Sequence, residues 1–101
     1  MKPTLEQVTN SLRITGMDHE EELFELIDRT DAEAKSFIDQ DTFETQEALD
    51  AAGSGVLLNK SYTQAIILLV RYYFDDLGTE YGKETQEAAY CLLRQFRKCG
   101  A

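Results

Sequence analysis

Ser61-Tyr62-Thr63-Gln64-Ala65-Ile66-Ile67-Leu68-Leu69-Val70-Arg71-Tyr72-Tyr73-Phe74 is the stretch that decides the fold. It opens with a Ser-x-x-Gln capping box, Ser61 with Gln64. From Ala65 to Phe74 it is apolar nearly all round, interrupted at Arg71. A helix without a polar face lies in the middle of a bundle or is covered by neighbouring subunits. Asp75, Asp76 and Gly78 end it. Its strictly apolar run, Ala65 to Val70, is far short of the ~20 residues that cross a bilayer, so no membrane association is expected.

Upstream lies a helix that opens at Asp18, a good N-cap, with Glu20, Glu21 and Glu22 in the first turn, where carboxylates suit the positive end of the helix dipole. Leu23, Phe24, Leu26, Ile27, Ala34, Phe37 and Ile38 form its apolar stripe, with Thr30 in the gap and a stop near Gln40. Before it, Thr4 and Gln7 make a Thr-x-x-Gln capping box behind Pro3, and Leu5, Val8 and Leu12 recur at helical spacing until Gly16. Downstream, Glu84 to Lys98 reads as a helix with Ala88, Ala89, Leu92, Leu93 and Phe96 on its apolar face. Arg94, Arg97 and Lys98 suit its negative end.

Residues 41–60 are the open stretch. Glu44 to Ala52 offers one or two helical turns before Gly53-Ser54-Gly55, and Val56-Leu57-Leu58 is a short apolar segment free to pack on the domain or to await a partner. A connection of this length is usually functional or mobile. No alternating strand pattern competes over any length. The expectation is one all-α domain over residues 1–101: four main helices, with a long, flexible or partly helical loop at 41–60 between the second and third.

The charge of −9 comes from 19 acids against 10 bases, and it is uneven. Met1 to Ala52 carries 14 acids and 4 bases, whereas Gly53 to Ala101 carries 5 and 6. Bulk attraction to phosphate or anionic lipid is therefore not expected, because it needs clustered Lys and Arg. A recognition helix for duplex DNA is lacking for the same reason. Cys91 and Cys99, about 12 Å apart if one helix carries both, fit no metal or redox spacing and read as free thiols. Met1-Lys2-Pro3-Thr4-Leu5 has no secretory pattern, so the expected setting is the cell interior.

Catalysis needs a nucleophile, an acid or base, or a metal, within mutual reach. His19 is the only histidine and reads as an exposed residue at an acidic helix start. Zinc would need three or four Cys and His ligands at suitable spacing. Asp39, Asp41 and Glu44 lack the twelve-residue calcium loop, and Gly53-Ser54-Gly55 lacks the Lys-Ser/Thr of a phosphate loop. No enzyme activity, metal or cofactor is expected. Two features are open to a sharper reading. The acidic row Glu20 to Glu33, above all Glu20, Glu21, Glu22 and Glu25, is either a solvated helix face or a channel or rim wall that repels DNA and lets it slide. Of Tyr72, Tyr73 and Phe74, which together span about 300° of a helix, at least one meets another helix, another subunit or water.

The order of these pieces resembles a family. Thr4-Leu5-Glu6-Gln7-Val8-x-x-x-Leu12-Arg13-Ile14, the acidic start of a long helix, a loop, the Ala65–Phe74 helix and Leu92-Leu93-x-x-Phe96-Arg97 together are similar to the head-tail connector, or DNA-packaging, proteins of long-tailed phages and prophages. The resemblance covers nearly the whole chain. The chain departs from it at Tyr73-Phe74-Asp75-Asp76, where an aromatic-Tyr-x-x-Arg ending is common, and in having no proline before the last helix. It implies a structural virion protein, without catalytic residues, that forms a homo-oligomeric ring of about twelve copies beneath the portal. Such a ring extends the DNA channel, DNA passes through it without sequence-specific binding, and the portal and the tail or head-completion proteins are its partners. The implied location is the virion, and the host cytoplasm during assembly. In that setting Tyr72, Tyr73, Arg94, Arg97 and Lys98 are the candidate subunit or portal contacts. A different class fits the same charge: a small acidic regulatory protein that presents carboxylates in place of DNA phosphates to a basic host protein.

Overall fold

The computed structural model describes residues 2–12, 19–76 and 82–97. Its helices are α1 (Leu5–Leu12), α2 (Glu20–Ile38), α3 (Gln46–Ala52), α4 (Lys60–Arg71) and α5 (Gly82–Leu93). A π-helical turn, Tyr72–Asp76, prolongs α4, and a 3-10 turn, Arg94–Phe96, prolongs α5. The molecule measures 43 × 27 × 17 Å.

The apolar segment sits at the centre, as its lack of a polar face requires. Tyr62, Ala65, Ile66, Leu69 and Val70 of α4 have no exposed surface, and their spacing is that of one helix face. α4 packs most extensively on α5, then on α2 and α1. Around it close Val8 of α1, Leu23, Ile27, Ala34 and Ile38 of α2, and Ala89, Leu93 and Phe96 from the end of the chain. The single buried polar residue among the described ones, Thr30, donates its hydroxyl to the carbonyls of Leu26 and Ile27 at 2.7 and 3.1 Å. That bond lets it sit in the stripe without an unpaired oxygen.

Local signals set the boundaries. The Thr4–Gln7 box is formed: Thr4 N–H donates to Gln7 Oε1 at 2.9 Å, and Gln7 N–H to Thr4 Oγ1 at 3.1 Å. α2 ends where Asp39 turns left-handed (φ 56°) and returns its N–H to Lys35 O. Its expected cap Asp18 lies outside the described residues, and His19 precedes the helix without a side-chain cap. The expected Ser61 box is not the start of α4. Asn59 is the cap, its Oδ1 accepting from Ser61 N–H at 2.8 Å, and the helix begins one residue before Ser61. A side-chain carbonyl two residues ahead of the free N–H reaches it first.

Among the described residues there are five α-helices rather than four, because the 41–60 stretch is structured. β1 (Thr42–Phe43) and β2 (Val56–Leu57) pair in parallel, Thr42 opposite Val56 and Phe43 opposite Leu57. α3 crosses between them, its first turn held by Thr45 Oγ1, which accepts from Ala48 N–H at 3.2 Å. Parallel neighbours need a crossover of about a dozen residues, and 44–55 is such a crossover. Gly55 makes it close: at φ 131° a Cβ there would lie 2.6 Å from Phe43 Cε2 and 2.7 Å from the Asp41 carbonyl oxygen. Two-residue strands have no alternation to detect, which is why the sequence shows none. Buried Leu58 and partly buried Val56 anchor the lobe to the core. Its two roots are tied to the C-terminal turn, Gln40 Nε2 donating to Phe96 O at 2.5 Å and Asn59 Nδ2 to Gln95 Oε1 at 3.2 Å.

Candidate functional site

α2 carries most of the polar chemistry, and its two halves use it differently. In the first half Glu21, Glu22, Glu25 and Asp28 are exposed and Glu20 half-exposed. Among the described residues Asp28 pairs with Lys2 at 2.6 Å, and Glu22 lies 3.4 Å from His19 Nδ1. Of the acidic face read from the sequence, Glu21, Glu22 and Glu25 lie on the solvent side of the helix, and half-exposed Glu20 stands at the edge of the apolar stripe.

In the second half the acids turn inward. Asp31 accepts a short hydrogen bond from the Tyr62 hydroxyl and pairs with Lys35 at 3.2 Å. Glu33 accepts from Tyr73 at 3.0 Å and from Tyr90 at 2.8 Å, joining α2 to the π-helical turn and to α5. Burial, and then the adjacent carboxylate, push all three tyrosine hydroxyls above their usual pKa of 10.0. The row Glu20 to Glu33 is therefore a solvated wall only over its first half.

The aromatic cluster divides in a similar way. Tyr73 is committed within the chain, to Glu33 and beneath Arg29, whose guanidinium carbon is 4.8 Å from the ring centroid. Phe74 meets His19 edge-on at 5.2 Å. Tyr72 is half-buried, its ring 5.0 Å from Tyr73. The π-helical turn rotates these three side chains out of α-helical register, so each finds a different neighbour. His19 thus has a structural environment, between Glu22 and Phe74.

At the other end, Arg94 is exposed, and Arg97 lies over the Phe37 ring at 4.8 Å. Lys98 lies outside the described residues. The expected last helix ends at Leu93, and the basic residues fall on the 3-10 turn and the extended residue after it. Beside them is a hollow of 350 Å³ lined by Phe37, Gln86, Glu87, Tyr90 and Arg94, floored by the edge-on Phe37–Tyr90 pair at 4.7 Å. Exposed Cys91 sits on its rim, its Sγ 3.9 Å from Arg94 Nη1.

Sequence reasoning missed two surface features. Phe24 was assigned to the α2 stripe, yet it is 53 % exposed, the one large hydrophobic side chain so exposed among the described residues. It lies about 80° around the helix from Ala34 at the stripe's centre, at the surface, where it lines a hollow with Pro3, Leu5 and Ile27. The helical angle does not detect this, because Leu26, also about 80° from Ala34, packs against the core. The Phe37–Tyr90 hollow needed tertiary structure, because its walls come from segments some fifty residues apart. Among the described residues no group of three or more His, Cys, Asp or Glu is placed to hold a metal, and no helix is long and apolar enough to cross a membrane. Comparison with known proteins finds no matching family model, no similar curated protein and no similar solved structure.

Proposed function

We propose that the chain is a structural subunit of a phage or prophage head-tail connector, assembling as a ring that extends the portal channel and supports tail attachment. The observation that carries this reading is the construction of α2. One side of the helix is the core, and the other, over its first half, carries the exposed carboxylates of Glu21, Glu22, Glu25 and Asp28. A wall of that charge repels a polyanion at short range and leaves it free to slide, while lysine-rich walls bind phosphate and arrest it. The order of segments that resembles the connector family supports the same reading. The basic end at Arg94 and Arg97 supplies a surface of opposite sign for a neighbouring subunit or the portal, and heterologous contacts of that kind form a ring where the rotation between copies closes.

Light scattering over a concentration series tests the reading, with negative-stain imaging of the same samples. Particles near twelve times 11.5 kDa, seen as rings, are the expected result for the free or portal-templated protein. A monomer that neither assembles nor binds a portal ring overturns it. A tight dimer that captures a basic DNA-binding protein instead favours the acidic regulatory reading, which rests on the same carboxylate face.

A further inference from the structure

The start of the chain does not close completely on α2. Between them lies an open hollow of 590 Å³, with Pro3 and Leu5 on one side and Phe24 and Ile27 on the other. Pro3 and Ile27 are buried and Leu5 is partly buried, so Phe24 is the part of this apolar lining that water reaches most. The charged lining is Glu6 and Asp28 against Lys2, and Lys2 is already held by Asp28 at 2.6 Å. On α2 the positions one turn before Phe24 are Glu20 and Glu21. Taking the lining together with the α2 positions one turn to either side of Phe24, four acids meet one base.

We propose that this hollow takes a large apolar side chain from a basic segment of another protein, whose Lys or Arg residues meet the surrounding carboxylates. The inference goes beyond the connector reading and stands apart from it: it gives the chemistry of a docking partner, whether that partner is a portal, a completion protein or a host protein. Size and charge both support it. A cavity of about 150 Å³ holds benzene, so the hollow, at 590 Å³, has room for a large side chain and its backbone. The acids then select the sign of whatever brings that side chain. Nucleic acid and anionic lipid carry phosphate and are repelled. A second copy of this chain fits poorly, because Phe24 is the one large hydrophobic side chain so exposed among the described residues. Bringing two copies together there would set the same carboxylates against each other. An apolar anchor flanked by cations satisfies both parts of the site: burial of the anchor supplies affinity, and the charges supply steering and selectivity.

The probe is a synthetic amphipathic peptide of Leu, Phe and Lys, titrated into isotope-labelled protein while the backbone amide resonances are followed. The amides of Leu5, Glu6, Phe24, Ile27 and Asp28 are expected to shift together and to saturate. The same peptide with Ala in place of Leu and Phe keeps its charge and should bind at least about tenfold more weakly, the loss expected when one large apolar side chain is no longer buried. Phe24→Ser, an exposed position whose folding is checked by circular dichroism, should lower affinity by a similar factor. That loss should persist at about 1 M salt, where the screening length is about 3 Å. Glu21→Lys should weaken binding at low salt and match the wild type at high salt. No shift at these amides, shifts confined to Glu22 and Glu25, or an affinity indifferent to Phe24→Ser overturns the proposal. Equal affinity for a peptide with Gln in place of every Lys makes the hollow a plain apolar site and removes the basic partner. Shifts of the same amides that grow with protein concentration, without peptide, put a second copy in the hollow and overturn the proposal as well. None of these outcomes bears on ring assembly, which light scattering reads separately.

Discussion

Replacing Gly55 with alanine tests whether the 41–60 lobe is a built part of the molecule. Two costs combine at this position. The backbone, at φ 131°, lies in a region that side chains rarely occupy, at about 1–3 kcal/mol. The new Cβ also meets Phe43 Cε2 at 2.6 Å and the Asp41 carbonyl oxygen at 2.7 Å. The ring can rotate aside, but the carbonyl cannot, because it accepts the Val56 N–H at 2.9 Å. Relief therefore breaks the strand pair, and with it a backbone hydrogen bond of about 1 kcal/mol. A total loss of about 2–4 kcal/mol follows. Gly53 is the internal control: it is also left-handed, φ 83°, but nothing lies within 4 Å of its Cβ position. Gly53→Ala should cost only the conformational part, about 1–2 kcal/mol. Urea unfolding followed by circular dichroism measures both. Equal losses in the two variants would refute the steric argument, and no loss in Gly55→Ala would show that the lobe contributes nothing to the fold.

Two further predictions concern the helices. Tyr62→Phe removes a buried hydroxyl bonded to the Asp31 carboxylate and should cost about 1.5–3 kcal/mol at neutral pH, read from the urea midpoint. The folded pKa of Tyr62 is raised, so the native state holds the proton more tightly than the unfolded chain. Its contribution is fully present below pH 10 and is lost as pH rises above that value. Between pH 9 and 11.5 the wild-type and Tyr62→Phe stabilities should therefore converge, and parallel curves would contradict the assignment. Tyr73 and Tyr90, raised in the same direction, leave a residual alkaline slope in the mutant. Thr4→Ala removes one arm of the α1 capping box and should cost about 1 kcal/mol, seen as faster amide exchange at Gln7.

The long-range plan was legible in the sequence because it rests on period and on strong local signals. An apolar helix with no polar face has one place to go, and Ala65–Val70 goes there. The Thr4–Gln7 box and the stop after Ile38 were equally plain, since both are satisfied within a few residues. What the sequence hid depends on distant partners. Asp31 and Glu33 look like their solvated neighbours until Tyr62, Tyr73 and Tyr90 arrive from other helices. The β1–β2 pair is too short for any pattern, and only the punctuation of Gly53 and Gly55 hinted at a turn. Of the candidate surfaces, the carboxylates at Glu20–Glu25 and the basic residues at Arg94 and Arg97 were visible as charge. The apolar partners that give those charges a shape, Phe24 and the Phe37–Tyr90 floor, were not.

The two side-chain bonds that tie Gln40 and Asn59 to the Arg94–Phe96 turn have a mechanical consequence. They grip the lobe at both its entrance and its exit, and they grip it with the last turn described before the C-terminal end. A displacement of that turn is thus felt at the lobe's two roots as well as in α5. The turn works as a clasp: while it is shut, the lobe and the Arg94–Phe96 turn move together. With it unfastened, Leu58 and Val56 are what still hold the lobe to the core.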